Sequence, residues 1–355
     1  MAEEFIRTLC ERVASAAAAK SPLRIRGGGT KDFYGGPSEG EPLEMSGCAG
    51  IVAYEPRELV LTVRAGTPLV EVENALAAER QMLPFEPPHF AAEGRSATIG
   101  GTVACGFSGP RRPYTGSVRD FVLGARIVNG KGEDLQFGGR VIKNVAGYDV
   151  SRLMTGALGT LGVLTELSFK VLPRPAVEAT LAFELSEPSA IQQMNRWAGM
   201  PLPVSATSWL DGTLRVRLSG AESALAAARA RMGGTEVPNA AGYWEDLREH
   251  RLPFFERTRP LWRLSVPQAA DAIELPQPQL IEWGGGLRWV SGEIDPFLMR
   301  STCQRLGGHA TLFRGGDRRA GVFQPLQPAV DKIHRRLKAA FDPAGILNRN
   351  RMYDF

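Results

Sequence analysis

Cysteine is scarce in this sequence, and the four cysteines are far apart. Cys10, Cys48, Cys105 and Cys303 form no C-x-x-C pair. This spacing excludes a ferredoxin-type iron–sulfur motif and a zinc knuckle. Nothing in the sequence indicates an oxidising compartment, so we expect reduced thiols and a cytoplasmic location.

Histidine and long apolar runs are also lacking. The four histidines are His89, His250, His309 and His334, and none forms an H-x-x-x-H pair, so we expect no bound metal. No apolar run reaches the roughly 18–20 residues that a transmembrane helix needs. The N-terminal segment, with Phe5, Leu9 and Val13 at helical spacing among acidic residues, predicts an amphipathic helix over 2–19 rather than a signal peptide.

Charge of one sign does not dominate either. Lys and Arg number 42 and Asp and Glu 38, which gives a net charge of +4. The basic residues are scattered or in short clusters, as on ordinary solvated faces, so we expect no nucleic-acid partner.

Glycine, in contrast, is abundant and concentrated. Residues 94–172 include Thr98-Ile99-Gly100-Gly101 and the run Gly159–Thr165, and upstream lies Arg24-Ile25-Arg26-Gly27-Gly28-Gly29-Thr30. Glycine lacks Cβ, so peptide N–H groups can approach a ligand closely, and three consecutive glycines can form an anion-binding nest. Neither the P-loop nor the G-x-G-x-x-G pattern is met, and ordinary turns are the alternative.

Periodicity predicts mixed helices and strands. Strands are expected at Leu59–Arg64, Val122–Val128 and Leu164–Leu172, and Thr67 is expected to cap a helix with Pro68 at its first position. Pro173-Arg174-Pro175 then breaks the chain. The remaining expected elements are a strand Val177–Glu184, a helix starting at 186–188, a hairpin Ser205–Trp209 and Thr213–Leu218 through Asp211-Gly212, a helix Ala221–Met232, a loop plus strand in 266–284, and a helix over 328–341. This order indicates an antiparallel sheet with helices on one face.

The order of motifs resembles the vanillyl-alcohol oxidase/p-cresol methylhydroxylase superfamily of FAD-binding proteins. The resemblance lies in the motifs at 24–30, 59–68, 98–101 and 159–165, the stretch Lys143–Asp149, and the tail Phe341–Asn348. The sequence also resembles the family of FAD-binding subunits of bacterial glycolate oxidases in its length, in the stretch Lys143–Asp149 and in the run Gly308–Arg314.

This resemblance implies an α+β fold in three parts. A two-lobed p-cresol methylhydroxylase-type FAD-binding domain would cover 1–174 and an antiparallel-sheet α+β domain 175–325. A C-terminal helix and tail, 326–355, would return to the FAD-binding domain.

The resemblance also implies FAD as cofactor, and it implies which residues contact it. They are Arg26, Gly27, Gly28, Gly29, Thr30, Lys31, Pro88, Thr98, Ile99, Gly100, Gly101, Ala104, Gly106, Gly109, Tyr114, Gly116, Gly159, Gly162, Val163 and Asn348. A helix C-terminal cap is the alternative role for Asn348. Many members of the superfamily tether the flavin through a His near the glycine loop. Because no His precedes His89 here, we expect non-covalent FAD.

The substrate side is less defined. Oxidising a 2-hydroxy acid requires an Arg or a metal for the carboxylate and a base for the hydroxyl proton. His309 and Arg314 are the candidates, with a core His and a surface Arg as the alternative.

Two functions remain open at this point. The chain is either the FAD-binding subunit of a glycolate oxidase or dehydrogenase, or a self-sufficient FAD-dependent dehydrogenase of D-lactate or glycolate. The first implies a larger FAD-containing subunit and an iron–sulfur subunit as partners, and peripheral association with the inner membrane through that complex. The scarcity of histidine favours the first.

Overall fold

The computed structural model describes residues 2–139 and 149–355. Lys143–Tyr148, which carry most of one motif of the resemblance, lie outside the described residues. The helices are α1 Ala2–Ala19, α2 Leu69–Ala78, α3 Ile99–Cys105, α4 Arg112–Thr115, α5 Val118–Phe121, α6 Val150–Leu153, α7 Glu187–Ala198, α8 Glu222–Met232, α9 Ala241–Arg248, α10 Pro296–Arg305 and α11 Pro328–Phe341. Within the described ranges, no helix is long and apolar enough to cross a membrane.

The described residues also form seventeen strands. They are β1 Leu23–Arg26, β2 Glu41–Glu44, β3 Ile51–Glu55, β4 Val60–Arg64, β5 Gln81–Met82, β6 Val122–Val128, β7 Asp134–Gly138, β8 Val163–Lys170, β9 Leu172–Pro173, β10 Val177–Glu184, β11 Val204–Leu210, β12 Thr213–Gly220, β13 Thr235–Glu236, β14 Leu261–Ser265, β15 Gln279–Glu282, β16 Leu287–Ser291 and β17 His309–Arg314.

The part before residue 174, here called the N-terminal lobe, is built on an antiparallel sheet in the order β3-β4-β8-β6-β7. β4 is an interior strand, and Leu61 and Val63 are fully buried in a core with the buried face of α2. That face carries Leu69, Val72 and Leu76. A parallel pair, β1 and β2, lies beside this sheet and leads into the glycine loop.

The second part is built on a larger antiparallel sheet, the C-terminal sheet, in the order β13-β10-β12-β11-β15-β16-β14-β17. Its first strand begins directly after Pro173-Arg174-Pro175, where proline removes a backbone donor and the N-terminal sheet ends. Helices and antiparallel sheets together confirm the α+β fold class. The division into three domains stays a prediction.

After the C-terminal sheet the chain returns to the N-terminal lobe. Leu347 forms a parallel bridge with Leu23, and the Asn348 N–H donates to the Leu23 carbonyl at 3.0 Å. Both leucines are buried in one cluster with α1. The tail therefore becomes part of the wall beside β1, next to the glycine loop.

One local prediction is wrong in detail. Pro68, not Thr67, occupies the cap position of α2, and Thr67 Oγ1 instead donates to the Arg64 carbonyl at 2.7 Å. On α11, Val330 is 42% and Ile333 57% exposed, so this helix is only partly covered.

Candidate flavin site

The glycine loop after β1 packs directly against the segment that precedes α3. A Cβ on Gly28 would lie 1.6 Å from the Ser96 carbonyl oxygen, and a Cβ on Gly27 would lie 2.3 Å from Thr98 Oγ1. Gly29 has φ +70°, in the left-handed region that favours glycine. Glycine at these positions therefore lets two backbone segments touch.

The α3 segment forms the opposite wall. Thr98 caps α3, and its Oγ1 accepts a hydrogen bond from the Gly101 N–H at 3.2 Å. A Cβ on Gly100 would lie 2.7 Å from both Cβ and the carbonyl oxygen of Ala65, so glycine here lets α3 approach the end of β4.

Asn348 joins the C-terminal tail to β1 and to the loop before β8, which form the remaining walls. Its Oδ1 accepts from the Ile25 N–H at 2.7 Å, and its Nδ2 donates to the Leu158 carbonyl at 2.6 Å. The residue is 6% exposed and has φ +42°, which Asn tolerates better than most residues. Asn348 thus ties the tail to β1 and to the loop before β8, which is a packing role that the sequence did not predict.

These segments enclose a cleft of about 750 Å³, including space open to solvent. Of the twenty predicted cofactor residues, thirteen line it: Arg26, Gly27, Gly28, Gly29, Thr30, Lys31, Thr98, Gly100, Gly101, Ala104, Gly159, Gly162 and Asn348. Residues that sequence reasoning missed also line it: Ile25, Asp32, Met45, Ala65, Cys105, Leu158, Leu164 and Arg351. Ile25, Ala65 and Leu164 had a signal, since they lie within the motifs at 24–30, 59–68 and 159–165.

The other seven predicted residues lie elsewhere. Ile99 and Val163 are fully buried in hydrophobic cores. Gly106 and Gly116 have positive φ and pack against Gly156 and Asp120, so they serve turns. The remaining three are Pro88, Gly109 and Tyr114. Pro88 and Gly109 line a second cavity. Tyr114 lies outside the cleft and is buried, which raises its pKa to about 12.

The cleft carries more positive than negative charge. Lys31 is 6% exposed, and its ammonium donates to Thr30 Oγ1 at 3.3 Å and to the His89 carbonyl at 3.2 Å. The Arg351 guanidinium donates to the carbonyls of Lys31 and Asp32 at 3.2 Å. Arg26 is the cation with acidic partners, Asp32 at 3.3 Å and Glu44 at 3.6 Å. Such a cleft attracts an anion.

The predicted substrate pair is not brought together. His309 and Arg314 occupy the two ends of β17, where their register partners are Ser265 and Leu261. Five residues of strand span about 16 Å. His309 is exposed, Arg314 donates to the Phe255 carbonyl at 2.7 Å, and neither lines the cleft.

A cluster of aromatic side chains separates the cleft from the C-terminal sheet. Phe33, Tyr34, Phe90, Phe107 and Phe313 stack edge-to-face or tilted, with ring centroids 4.6–6.2 Å apart. This aromatic cluster joins the two parts of the molecule, because Phe313 lies on β17 and the other four belong to the N-terminal lobe.

Behind this cluster lies a second cavity with four ionisable side chains, Arg248, His250, Arg263 and Glu282, which sequence reasoning missed. Burial raises the pKa of Glu282 to about 7, although Trp289 Nε1 donates to its carboxylate at 2.7 Å. Burial lowers the pKa of His250 well below its usual value, and Nδ1 of this residue has no hydrogen-bond partner among the described atoms. Arg263 lies over the Trp283 ring at 5.2 Å. The cavity encloses about 390 Å³, including space open to solvent, against about 750 Å³ for the cleft.

The fold and the cleft define an FAD-binding protein. Residues 6–138 match the family described as FAD binding domain, and the cofactor of this chain is FAD. Over 350 residues the chain is 48% identical to the glycolate oxidase subunit GlcE of Escherichia coli, covering 99% of this chain and 98% of that protein. The chain belongs to the family of this subunit.

Other similar proteins share less of the chain. Glycolate oxidase subunit GlcD of Bacillus subtilis is 33% identical over 163 residues, 45% of this chain and 34% of that protein. A D-2-hydroxyglutarate dehydrogenase of Xanthomonas citri is 37% identical over 134 residues, 38% of this chain and 28% of that protein. Among solved structures, alkyldihydroxyacetonephosphate synthase has the same fold, with a TM-score of 0.65 and 17% identity over 96% of this chain and 74% of that one.

The residues of the cleft fit FAD. Its diphosphate requires amide donors and positive charge, which the loop Gly27–Thr30 and Arg26 can provide. Its ring systems require flat apolar walls, which Met45, Leu158 and Leu164 can provide. When bound, FAD would accept two electrons from a substrate or a partner, which no side chain of this cleft can do.

Proposed function

We propose that this chain is the FAD-binding subunit of a multi-subunit oxidase that converts glycolate, or a related small 2-hydroxy acid, to the 2-oxo acid. The observation that carries the proposal is the 48% identity to a subunit of glycolate oxidase over nearly the full length of both proteins. The cleft adds independent support, because the loops that the family resemblance implies converge on one anion-attracting site.

In this proposal the partners are a larger FAD-containing subunit and an iron–sulfur subunit. The four cysteines are free thiols on separate elements, so this chain offers no thiolate set for an iron–sulfur cluster of its own among its described residues. Electrons would pass from the hydroxy acid through flavin to the partner's iron–sulfur centres. The complex would lie on the cytoplasmic side of the inner membrane and associate with it peripherally.

The second cavity bears on whether the chain oxidises a hydroxy acid directly. It encloses about 390 Å³, roughly half the 750 Å³ of the cleft, and aromatic rings form much of its wall. The site residues named above, His309 and Arg314 included, remain proposals for any substrate chemistry.

The alternative is a self-sufficient FAD-dependent 2-hydroxy-acid dehydrogenase. One observation favours it: two cations, Arg248 and Arg263, and two titratable groups, His250 and Glu282, line one cavity, as a carboxylate clamp and a base would. Under this alternative Arg263, and not Arg314, would hold the carboxylate.

Steady-state turnover of glycolate and D-lactate with a dye acceptor tests the two functions. The FAD-loaded isolated chain is expected to show no turnover, and activity is expected when the chain is co-expressed with the two partner subunits. Turnover of the isolated chain at roughly 1–1,000 s⁻¹ would establish the alternative. In that case Arg263→Gln should raise KM, while His309→Ala should have no effect.

A further inference from the structure

The cleft has two chemically different ends. At the core end, Met45, Ala65 and Leu164 adjoin the hydrophobic cores of the N-terminal lobe. α3 runs from this end, where Gly100 contacts Ala65, toward the aromatic cluster, against which Cys105 packs. At the aromatic end, the cleft is lined by Lys31, Cys105, Leu158 and Arg351.

Lys31 at the aromatic end is a buried cation that donates hydrogen bonds to neutral groups. Its two hydrogen-bond acceptors, Thr30 Oγ1 and the His89 carbonyl, are neutral. Among the described residues, no carboxylate lies within 4 Å of its ammonium. The nearby carboxylate that attracts the Lys31 ammonium electrostatically belongs to Glu249, directly after α9. This carboxylate already accepts hydrogen bonds from Arg248 and from the His89 and Phe90 backbone N–H groups.

The other charged and titratable groups near Lys31 do not neutralise its charge. Burial lowers the pKa of the Lys31 ammonium and raises the pKa of the Cys105 thiol, so Cys105 stays neutral at pH 7. Asp32 is half exposed and pairs with Arg26. Arg351 adds a second positive charge to the same end. A buried ammonium of this kind is costly unless a negative charge comes to lie beside it.

We infer that the flavin ring system occupies the aromatic end and that Lys31 is the cation that balances the negative charge of the reduced ring. Taking up two electrons and one proton gives the ring one net negative charge, which must be paired where water is excluded. Adenine stays neutral throughout, so it suits the uncharged core end. The inference rests on FAD as cofactor and not on which hydroxy acid is oxidised.

The pH dependence of the two-electron midpoint potential of the FAD-loaded chain tests this without any substitution. Uptake of one proton per two electrons gives a slope of about 30 mV per pH unit, because a tenfold change in a two-electron equilibrium corresponds to about 30 mV. We expect this slope already between about pH 5 and 6, where reduced flavin free in solution is neutral and takes up two protons. A slope of about 60 mV, which means two protons, would overturn the inference.

Lys31→Gln provides the second test, because it removes the charge and keeps a donor for the His89 carbonyl. We expect the preference for reduced over oxidised FAD to fall at least tenfold, which lowers the potential by about 30 mV. The slope should also rise toward two protons. Lys31→Arg should behave as wild type, and so should Lys332→Gln, which alters an exposed lysine of α11.

Two results with Lys31→Gln would contradict the inference. An unchanged potential and slope would show that the ammonium does not face the ring. An at least tenfold loss of affinity for oxidised FAD, with the slope of the remaining bound flavin unchanged, would place Lys31 on the diphosphate instead. Should the variant not fold, the wild-type slope alone decides. Neither outcome depends on glycolate turnover, so the proposed function can fail or succeed separately.

Discussion

Replacing Lys338 by methionine is expected to release the C-terminal tail from the cleft. The Lys338 ammonium donates to Asp342 Oδ2 at 2.7 Å, to the Thr160 carbonyl at 2.8 Å and to the Leu347 carbonyl at 2.9 Å. One buried side chain on α11 therefore fixes both the loop before β8 and the segment that carries Asn348. Without it, two walls of the cleft lose their common support.

The structure also sets the size of the effect. Asp342 is 1% exposed, and removing one partner of a buried ion pair typically costs about 3–5 kcal/mol, because the other charge is left unpaired. Asp342 keeps hydrogen bonds from the Ile346 and Leu347 N–H groups, so we expect the lower value, about 3 kcal/mol. With a urea m-value of about 3 kcal/mol per M, the midpoint should fall by about 1 M.

Urea unfolding followed by circular dichroism, together with FAD titration by fluorescence, measures both consequences. Lys332→Met is the matched control, since this lysine is exposed on the same helix and should change stability by less than about 0.5 kcal/mol. The double variant Lys338→Met/Asp342→Asn should regain part of the loss, because no unpaired charge remains. A Lys338→Met protein with wild-type midpoint and wild-type FAD affinity would refute the reasoning.

Three further outcomes follow from the same structure. Gly28→Ala should lower FAD content at least tenfold, because its Cβ would collide with the Ser96 carbonyl. Gly242→Ala is the control and should keep its FAD, because position 242 has open space around it. Equal flavin content in the two variants would contradict this prediction. Glu282→Gln should stabilise the chain above pH 7. The pKa of Glu282 in the folded chain, about 7, exceeds the ordinary 4.5, so the free energy of unfolding of the wild type falls by about 3 kcal/mol as pH rises between these values. A Glu282→Gln protein whose stability has the same pH dependence would contradict this. Acid precipitation should release FAD intact, and flavin absorbance remaining on the precipitated chain would show a covalent bond.

Local patterns in the sequence were sufficient for most of the regular elements. α1 and β6 have the predicted bounds, and β10 and α11 also match, because their apolar spacing and proline or glycine boundaries are local signals. The strands of the C-terminal sheet after residue 250 were harder. β14 is a short strand, and its neighbours β16 and β17 are distant in sequence, so its pairing depends on contacts that periodicity does not encode.

The glycines were interpreted as places where backbone approaches a ligand. The structure adds that Gly27, Gly28 and Gly100 are required by neighbouring protein segments, since their missing Cβ atoms would meet Thr98, Ser96 and Ala65. A Cβ and a peptide N–H point in different directions, so one glycine can serve both contacts. The sequence alone could not separate these roles.

The substrate residues stay a prediction, because their candidates were chosen by residue type. His309 and Arg314 are close in sequence, but a strand holds them about 16 Å apart. The ionisable groups that share a cavity are Arg248, His250, Arg263 and Glu282, which come from three separate segments of the chain. Only the pairing of β14, β15 and β16 brings Arg263 and Glu282 to one place.

A buried ion network decides how the C-terminal sheet sits over the cleft. Glu86 of the N-terminal lobe accepts hydrogen bonds from Arg111 at 3.1 Å and from Arg217 of β12 at 2.9 Å. Burial raises the pKa of Glu86, but the two guanidiniums outweigh it and the net pKa is lowered. Pulling the sheet away would separate Arg217 from Glu86, and breaking a buried ion pair is costly. The sheet is therefore expected to stay in place against the N-terminal lobe.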